Sequence, residues 1–227
     1  MRKLKPSLQF FLCSLVFLTG CKALSGNGRS ELSLLSGNSK SASARDEFTR
    51  FKIVHDDPRI EQVRRVGYNI VREGLKHDLH EVLPPVEKWE FEVIRDRSPN
   101  AFVFPDGKVG FNTGMFSYVE TDDDVAVILG HEVADILMHV TQEHIVGSPA
   151  EQSPRTELEA DHLGLIIMAR AGYNPEAAPL FWRRFSAAPT NRAPEYFSSH
   201  PLDDTRINKL QGWMQEAKAL AEPLRKP

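Results

Sequence analysis

Val125 to His144 reads VAVILGHEVADILMHVTQEH, and the rest of the chain is organised around it. Its aliphatic residues recur on all sides, as in a helix buried inside a domain. Among them stand His131, Glu132 and Asp135. An imidazole and two carboxylates in such surroundings cost free energy unless partners or a task await them. His131 and Asp135 are four apart and face one side of the helix, with Glu132 beside them.

The helix needs a beginning and neighbours. Thr121 with Asp124 three residues on reads as a capping box, and Asp122, Asp123 and Asp124 suit the positive end of the helix dipole. After a polar break at 147–154 a second helix is expected over Arg155 to Ala171, stopped by Gly172. Asn174-Pro175 opens a third, carrying Leu180, Phe181, Trp182 and Phe185, and a last amphipathic helix uses Ile207, Leu210, Trp213 and Met214.

Upstream, Asp57-Pro58 reads as a helix start. Ile60, Val63, Gly67, Ile70 and Val71 recur on one face to about Leu75. His77 and His80 beyond are read as solvated loop residues. Trp89, Phe91 and Val93 alternate with Glu90, Glu92 and Ile94, the mark of a half-buried strand. Ala101 to Phe104 and Lys108 to Thr113 give two more, joined by the turn Pro105-Asp106-Gly107. The expectation is an α+β fold: a small antiparallel sheet of three strands packed on helices.

At 227 residues the chain suffices for one domain with a real core. Its start reads differently. Arg2, Lys3 and Lys5 precede an apolar run from Leu8 to Leu18, too short to span a bilayer and right for a signal peptide. Leu18-Thr19-Gly20-Cys21 looks like a bacterial lipobox, with Cys21 the lipidated residue. Lys22 in place of an aspartate favours the outer membrane, facing the periplasm. Residues 21–45, rich in Ser, Gly and Asn, read as a tether, and the folded domain is expected over 46–222. Without residues 1–20 the formal charge becomes −6 (28 basic side chains less three, against 31 acidic). That argues against nucleic acid or an anionic membrane surface as partner and leaves the lipid anchor as the membrane contact. With Cys13 and Cys21 spoken for, no disulfide is expected.

His131-Glu132-x-x-Asp135 is the His-Glu-x-x-His pattern of zinc-peptidase helices with aspartate at the second histidine position. Such sites take a third ligand from elsewhere and keep one position open. The candidate is Glu157, in Glu157-Leu158-Glu159-Ala160-Asp161, with Asp161 one turn on able to hold the free ring nitrogen of His131.

These segments resemble the HtpX-like and CAAX-prenyl-protease-type zinc metallopeptidases, metallopeptidase family 48, nearest the bacterial outer-membrane lipoprotein branch and its mitochondrial relatives. The resemblance covers about Asp56 to Leu210. It rests on Asn100-Ala101-Phe102 with Pro105-x-Gly107, on Gly130-His131-Glu132-x-Ala134, and on Glu157-x-x-Ala160-Asp161. Ala171-Gly172-Tyr173-Asn174-Pro175 and Ser198-x-His200-Pro201 with Arg206-Ile207 complete it. It implies a zincin-like fold with two active-site helices. Glu132 would be general base, His131, Asp135 and Glu157 the metal ligands, and His200 a residue beside the metal. The activity implied is endopeptidase cleavage of misfolded or stalled envelope polypeptides, with a catalytically inactive pseudopeptidase that binds them as the alternative.

Two departures stand out against that family. The segment between the active helices is short. Asp135 also replaces a ligand: a carboxylate can bind zinc at about 2.0–2.2 Å, but its oxygen lies roughly an ångström or more nearer the backbone than the distal histidine nitrogen. The helix must therefore shift, a water must bridge or a ligand is lost. A set of one imidazole and two carboxylates admits manganese beside zinc. His139 is about 12 Å along the axis from His131, His144 lies near the helix end, and His162 points off the Glu157 face. That leaves His200 either to compensate as ligand or to steady a reacting carbonyl oxygen.

Overall fold

The sheet is where the architecture departs from expectation. In the computed structural model, which describes residues 48–75, 83–146, 153–187, 196 and 200–221, it contains β1 (Glu90–Ile94), β2 (Ala101–Val103) and β3 (Lys108–Asn112). The order is β1-β3-β2. β2 and β3 form the expected antiparallel hairpin, Ala101 opposite Phe111, around Gly107 at φ 90°. β1 instead runs parallel to β3, Glu90 opposite Lys108 and Ile94 opposite Asn112. The sheet is therefore mixed. Parallel pairing requires a crossover, which the segment 95–107 supplies by carrying the chain past β3's place before the hairpin returns it. β3 is central and paired on both sides, and the outer edge of β2 is unpaired among the described residues.

One face of the sheet enters the main core through Phe91, Val93, Val109 and Phe111, each almost fully buried. The chain just before the first helix lies along β1, with Val54 N–H donating to Val93 O at 2.8 Å. It brings Phe48 and Phe51 onto Phe102 and Phe104, a second, smaller apolar cluster.

α1 (Arg59–Asn69) begins where Asp57 Oδ1 accepts from the Arg59 N–H at 3.0 Å, and it runs on as a π-helical turn over Ile70–Gly74. Its Ile60, Val63, Val66 and Ile70 are buried. α2 (Asp122–Val146) starts at the expected box: Thr121 Oγ1 accepts from Asp124 N–H at 3.3 Å, and Asp124 Oδ2 accepts from Thr121 N–H at 3.0 Å. α3 (Pro154–Arg170) is capped by Ser153 and ends before Gly172 at φ 93°. α4 (Ala177–Ser186) and α5 (Asp204–Ala221) complete the set. The fold is α+β, with helices dominant. Among the described residues no helix is long and apolar enough to cross a membrane. The expected leader, Cys21, the tether, His77 and His80 lie outside the described residues.

α2 and α3 cross on two glycines. A Cβ on Gly164 would meet Gly130 C and O and His131 N, each at 2.9 Å. All three are backbone atoms and cannot rotate away. Gly164→Ala would gain about 1 kcal/mol of helix propensity, but overpacking costs about 1–3 kcal/mol. With rigid neighbours the second effect wins. A lower melting temperature is expected, and an unchanged or higher one would show that the crossing tolerates a methyl group.

Candidate metal centre

α2 can bury polar groups because the aliphatic residues around them are buried too. Val125, Ile128, Leu129, Val133 and Leu137 are at most 2% exposed, and each stabilises by about 1.5–3 kcal/mol. The Gly130–Gly164 crossing brings α3 close enough for Glu157 and Asp161 to reach His131. α5 closes the third side, with His200 just ahead of it. His131, Glu132, Asp135, Glu157, Asp161, His200 and Arg206 are all buried.

His131 Nδ1 donates to Asp161 Oδ1 at 3.1 Å. With Nδ1 so engaged, Nε2 faces two other potential ligand atoms. His200 Nδ1 lies 3.2 Å from it and Glu157 Oε2 3.5 Å, while His200 Nδ1 and Glu157 Oε2 are 3.3 Å apart. Atoms bound at 2.0–2.1 Å to one tetrahedral ion stand about 3.3–3.4 Å from one another. The triangle thus has the dimensions of three corners of a tetrahedral coordination shell. Among the described residues, His131, Glu157 and His200 are the one group of three or more whose ligand atoms converge in this way. Glu157 Oε1, fully buried, has no hydrogen-bond partner. A cation beside that carboxylate would offset what such an orphan costs. The residues present fit a metal ion.

The arrangement differs from the sequence expectation at one ligand. Asp135 is not in the converging group. Its Oδ1 has no hydrogen-bond partner and stands 3.5 Å from His139 Nδ1, which itself lies 3.0 Å from the Asp135 backbone oxygen. Burial would raise this carboxyl, but the His139 ring beside it outweighs that and holds it low. The short side chain, one turn from His139, stays with that ring, and His200 supplies the third atom of the triangle. His162 points elsewhere, bonding Glu216 at 2.8 Å and stacking on Trp213.

Glu132 stands beyond the triangle, Oε1 3.6 Å from His200 Nε2. Burial pushes its carboxyl up to about 7, against the pull of His200 and His131. For His200 the balance is reversed. Burial alone would lower the ring, but Glu132 and Glu157 raise it to about 9.

Two residues given no role in the sequence reading complete the site. Tyr196 donates to Glu132 Oε1 at 3.4 Å and stacks on His200, with ring centroids 4.8 Å apart. Arg206 bonds both Asp161 oxygens and approaches Glu157 Oε2 at 2.9 Å. Burial would lower the guanidinium pKa; the Asp161 and Glu157 carboxylates reverse that and raise it. Arg206 had a signal, six residues past His200 at the start of an amphipathic helix, but no spacing announces a buried arginine. Tyr196, four residues before His200 in a polar stretch of sequence, had none.

Comparison with known proteins agrees with the geometry. Residues 69–153 and 150–214 match peptidase family M48. The chain belongs to this family. It is 32% identical over 166 residues to the mitochondrial metalloendopeptidase OMA1 of Schizosaccharomyces pombe, covering 60% of this chain and 49% of that protein. Against the Saccharomyces cerevisiae metalloendopeptidase of the same name it is 30% identical over 171 residues, 60% of this chain and 50% of the relative. The beta-barrel assembly-enhancing protease of Escherichia coli is 24% identical over 164 residues, 52% of this chain and 33% of the relative. The M48 chain described here therefore spans about half the length of the yeast relatives and a third of the bacterial one.

Proposed function

We propose that this chain is a zinc metalloendopeptidase of the cell envelope, acting on misfolded or stalled envelope proteins. His131, Glu157 and His200 are its metal ligands and Glu132 its general base. The triangle of His131 Nε2, His200 Nδ1 and Glu157 Oε2 carries this reading. Two imidazoles and one carboxylate form a donor set known from catalytic zinc sites, and they suit zinc better than the expected single imidazole with two carboxylates. When bound, the ion supplies Lewis acidity, polarising a carbonyl and acidifying water.

The chain's own groups do the rest. Glu132, poised near neutrality by burial, takes the proton from water and returns it to the leaving amine. Tyr196 and His200 both lie against Oε1 of that carboxylate. The outer edge of β2, unpaired among the described residues and packed on α2, aligns an extended polypeptide by backbone pairing. β3, paired on both sides, offers no such edge. The lipobox-like ending at Cys21 and the likeness to a bacterial beta-barrel assembly-enhancing protease support an outer-membrane lipoprotein facing the periplasm.

Metal analysis of the purified chain together with digestion of casein tests the proposal. Zinc near one equivalent is expected, with cleavage lost on chelation and regained on adding zinc. A chain that holds no metal and cuts nothing would be the pseudopeptidase.

A further inference from the structure

We propose that Arg206 is the positioning residue that preassembles the metal-holding atoms before any ion arrives. The inference rests on the ligand set proposed above and gives a role to a residue that the sequence reading placed in the family resemblance without one. A guanidinium offers five N–H donors in a rigid fork. Nε donates to Asp161 Oδ2 at 2.7 Å, Nη2 to Asp161 Oδ1 at 2.8 Å, and Nη1 to the Pro201 carbonyl at 2.7 Å. Nη1 also stands 2.9 Å from Glu157 Oε2.

Each contact leads to a different corner of the triangle. Asp161 Oδ1 accepts from His131 Nδ1, so the fork fixes that ring through the carboxylate. Glu157 is held directly. Pro201 follows His200 in the chain, so its carbonyl ties down the loop that presents the third ligand. Arg206 is itself anchored, its N–H donating to Asp203 Oδ1 at 2.9 Å in the first turn of α5 and its guanidinium lying 5.8 Å from the Trp182 ring centroid. Three ligands from separate segments are thus oriented by one side chain.

The charge matters as much as the fork. Glu157 and Asp161 are buried carboxylates, and without a neighbouring cation they would repel and turn apart. Arg206 supplies that cation in the metal-free protein. A plain structural ion pair between α5 and α3 would make the same contacts, so the test needs a readout on which the two roles disagree. A structural role lowers the stability of metal-free and loaded forms alike and leaves the affinity unchanged. A positioning role weakens affinity while the protein is still folded.

Arg206→Lys keeps the positive charge, and with it any repulsion of the ion, but loses the fork. Zinc affinity of the full chain is measured by chelator competition at a temperature where circular dichroism shows the variant folded. A loss of about 10–100-fold is expected, the usual effect of removing an outer support, with a weaker visible absorption of the cobalt form. Unaltered affinity and cobalt spectrum, with only a lower melting temperature, overturn the inference. A wild-type chain that takes up no zinc overturns the ligand set as well. Should the lysine variant not fold, the Arg206 Nε–H of the wild-type protein is followed by NMR. Slow solvent exchange with and without zinc supports the clamp, and fast exchange in the metal-free chain sinks it.

Discussion

His200→Ala is expected to empty the metal centre, while Asp135→Asn leaves it loaded. The two substitutions separate the ligand set seen in the structure from the one the motif suggests. His200 Nδ1 is 3.2 Å from His131 Nε2 and 3.3 Å from Glu157 Oε2, whereas Asp135 has turned toward His139. Removing an outer support typically weakens metal binding 10–100-fold. Loss of a directly bound nitrogen should exceed that, so His200→Ala should weaken zinc binding by more than about a hundredfold. Asp135→Asn keeps shape and volume and removes a charge near the site without removing a ligand atom. Its effect should stay below about tenfold. Both are read by zinc competition against a chelator and by metal content after dialysis. Alanine at 200 with full zinc, or asparagine at 135 with none, would restore the motif's ligand set and remove the basis for the proposed centre.

Local chemistry carried much of the fold in advance. The Thr121–Asp124 box, the Pro105-Asp106-Gly107 turn and the stop at Gly172 depend on neighbours within four residues, and each appears where the residues call for it. The parallel pairing of β1 with β3 was not legible. Alternation in Trp89 to Ile94 says that one face is buried, but it carries no strand direction. The centre divides the same way. His131 with Asp135, and Glu157 with Asp161, share faces because i and i+4 do so on any helix. Whether Asp135 reaches the common point depends on side-chain length and on which way His139 draws it, which only the packed helices decide. His200 arrives from a loop 69 residues beyond His131, and no periodicity measures that distance. Arg206 stood in the sequence as part of the segment that completes the family resemblance, with no role attached, and only its contacts with Asp161 and Glu157 on α3 supply one.

Glu132→Gln should abolish most cleavage without removing the metal. Glu132 is not a corner of the triangle, and glutamine preserves its volume while losing the ability to take a proton. General-base catalysis contributes about 10²–10⁴-fold, so kcat should fall by that factor, or about 3–5 kcal/mol in the barrier, with zinc affinity near wild type. The same substitution should stabilise the metal-free chain. Burial raises the carboxyl from 4.5 to about 7, so the folded state holds a proton that the unfolded state releases. Wild-type stability therefore falls as pH rises from 4.5 to about 7, and the ionised carboxylate remains a burden above that. Glutamine carries no such charge. Its metal-free form should melt higher than wild type at and above neutral pH, and equally below pH 4.5, where both states of the wild-type carboxyl are protonated. A group that weakens its own fold yet is indispensable to turnover is what a catalytic base requires. A Glu132→Gln chain that cleaves casein at the wild-type rate would show that the proton is taken elsewhere.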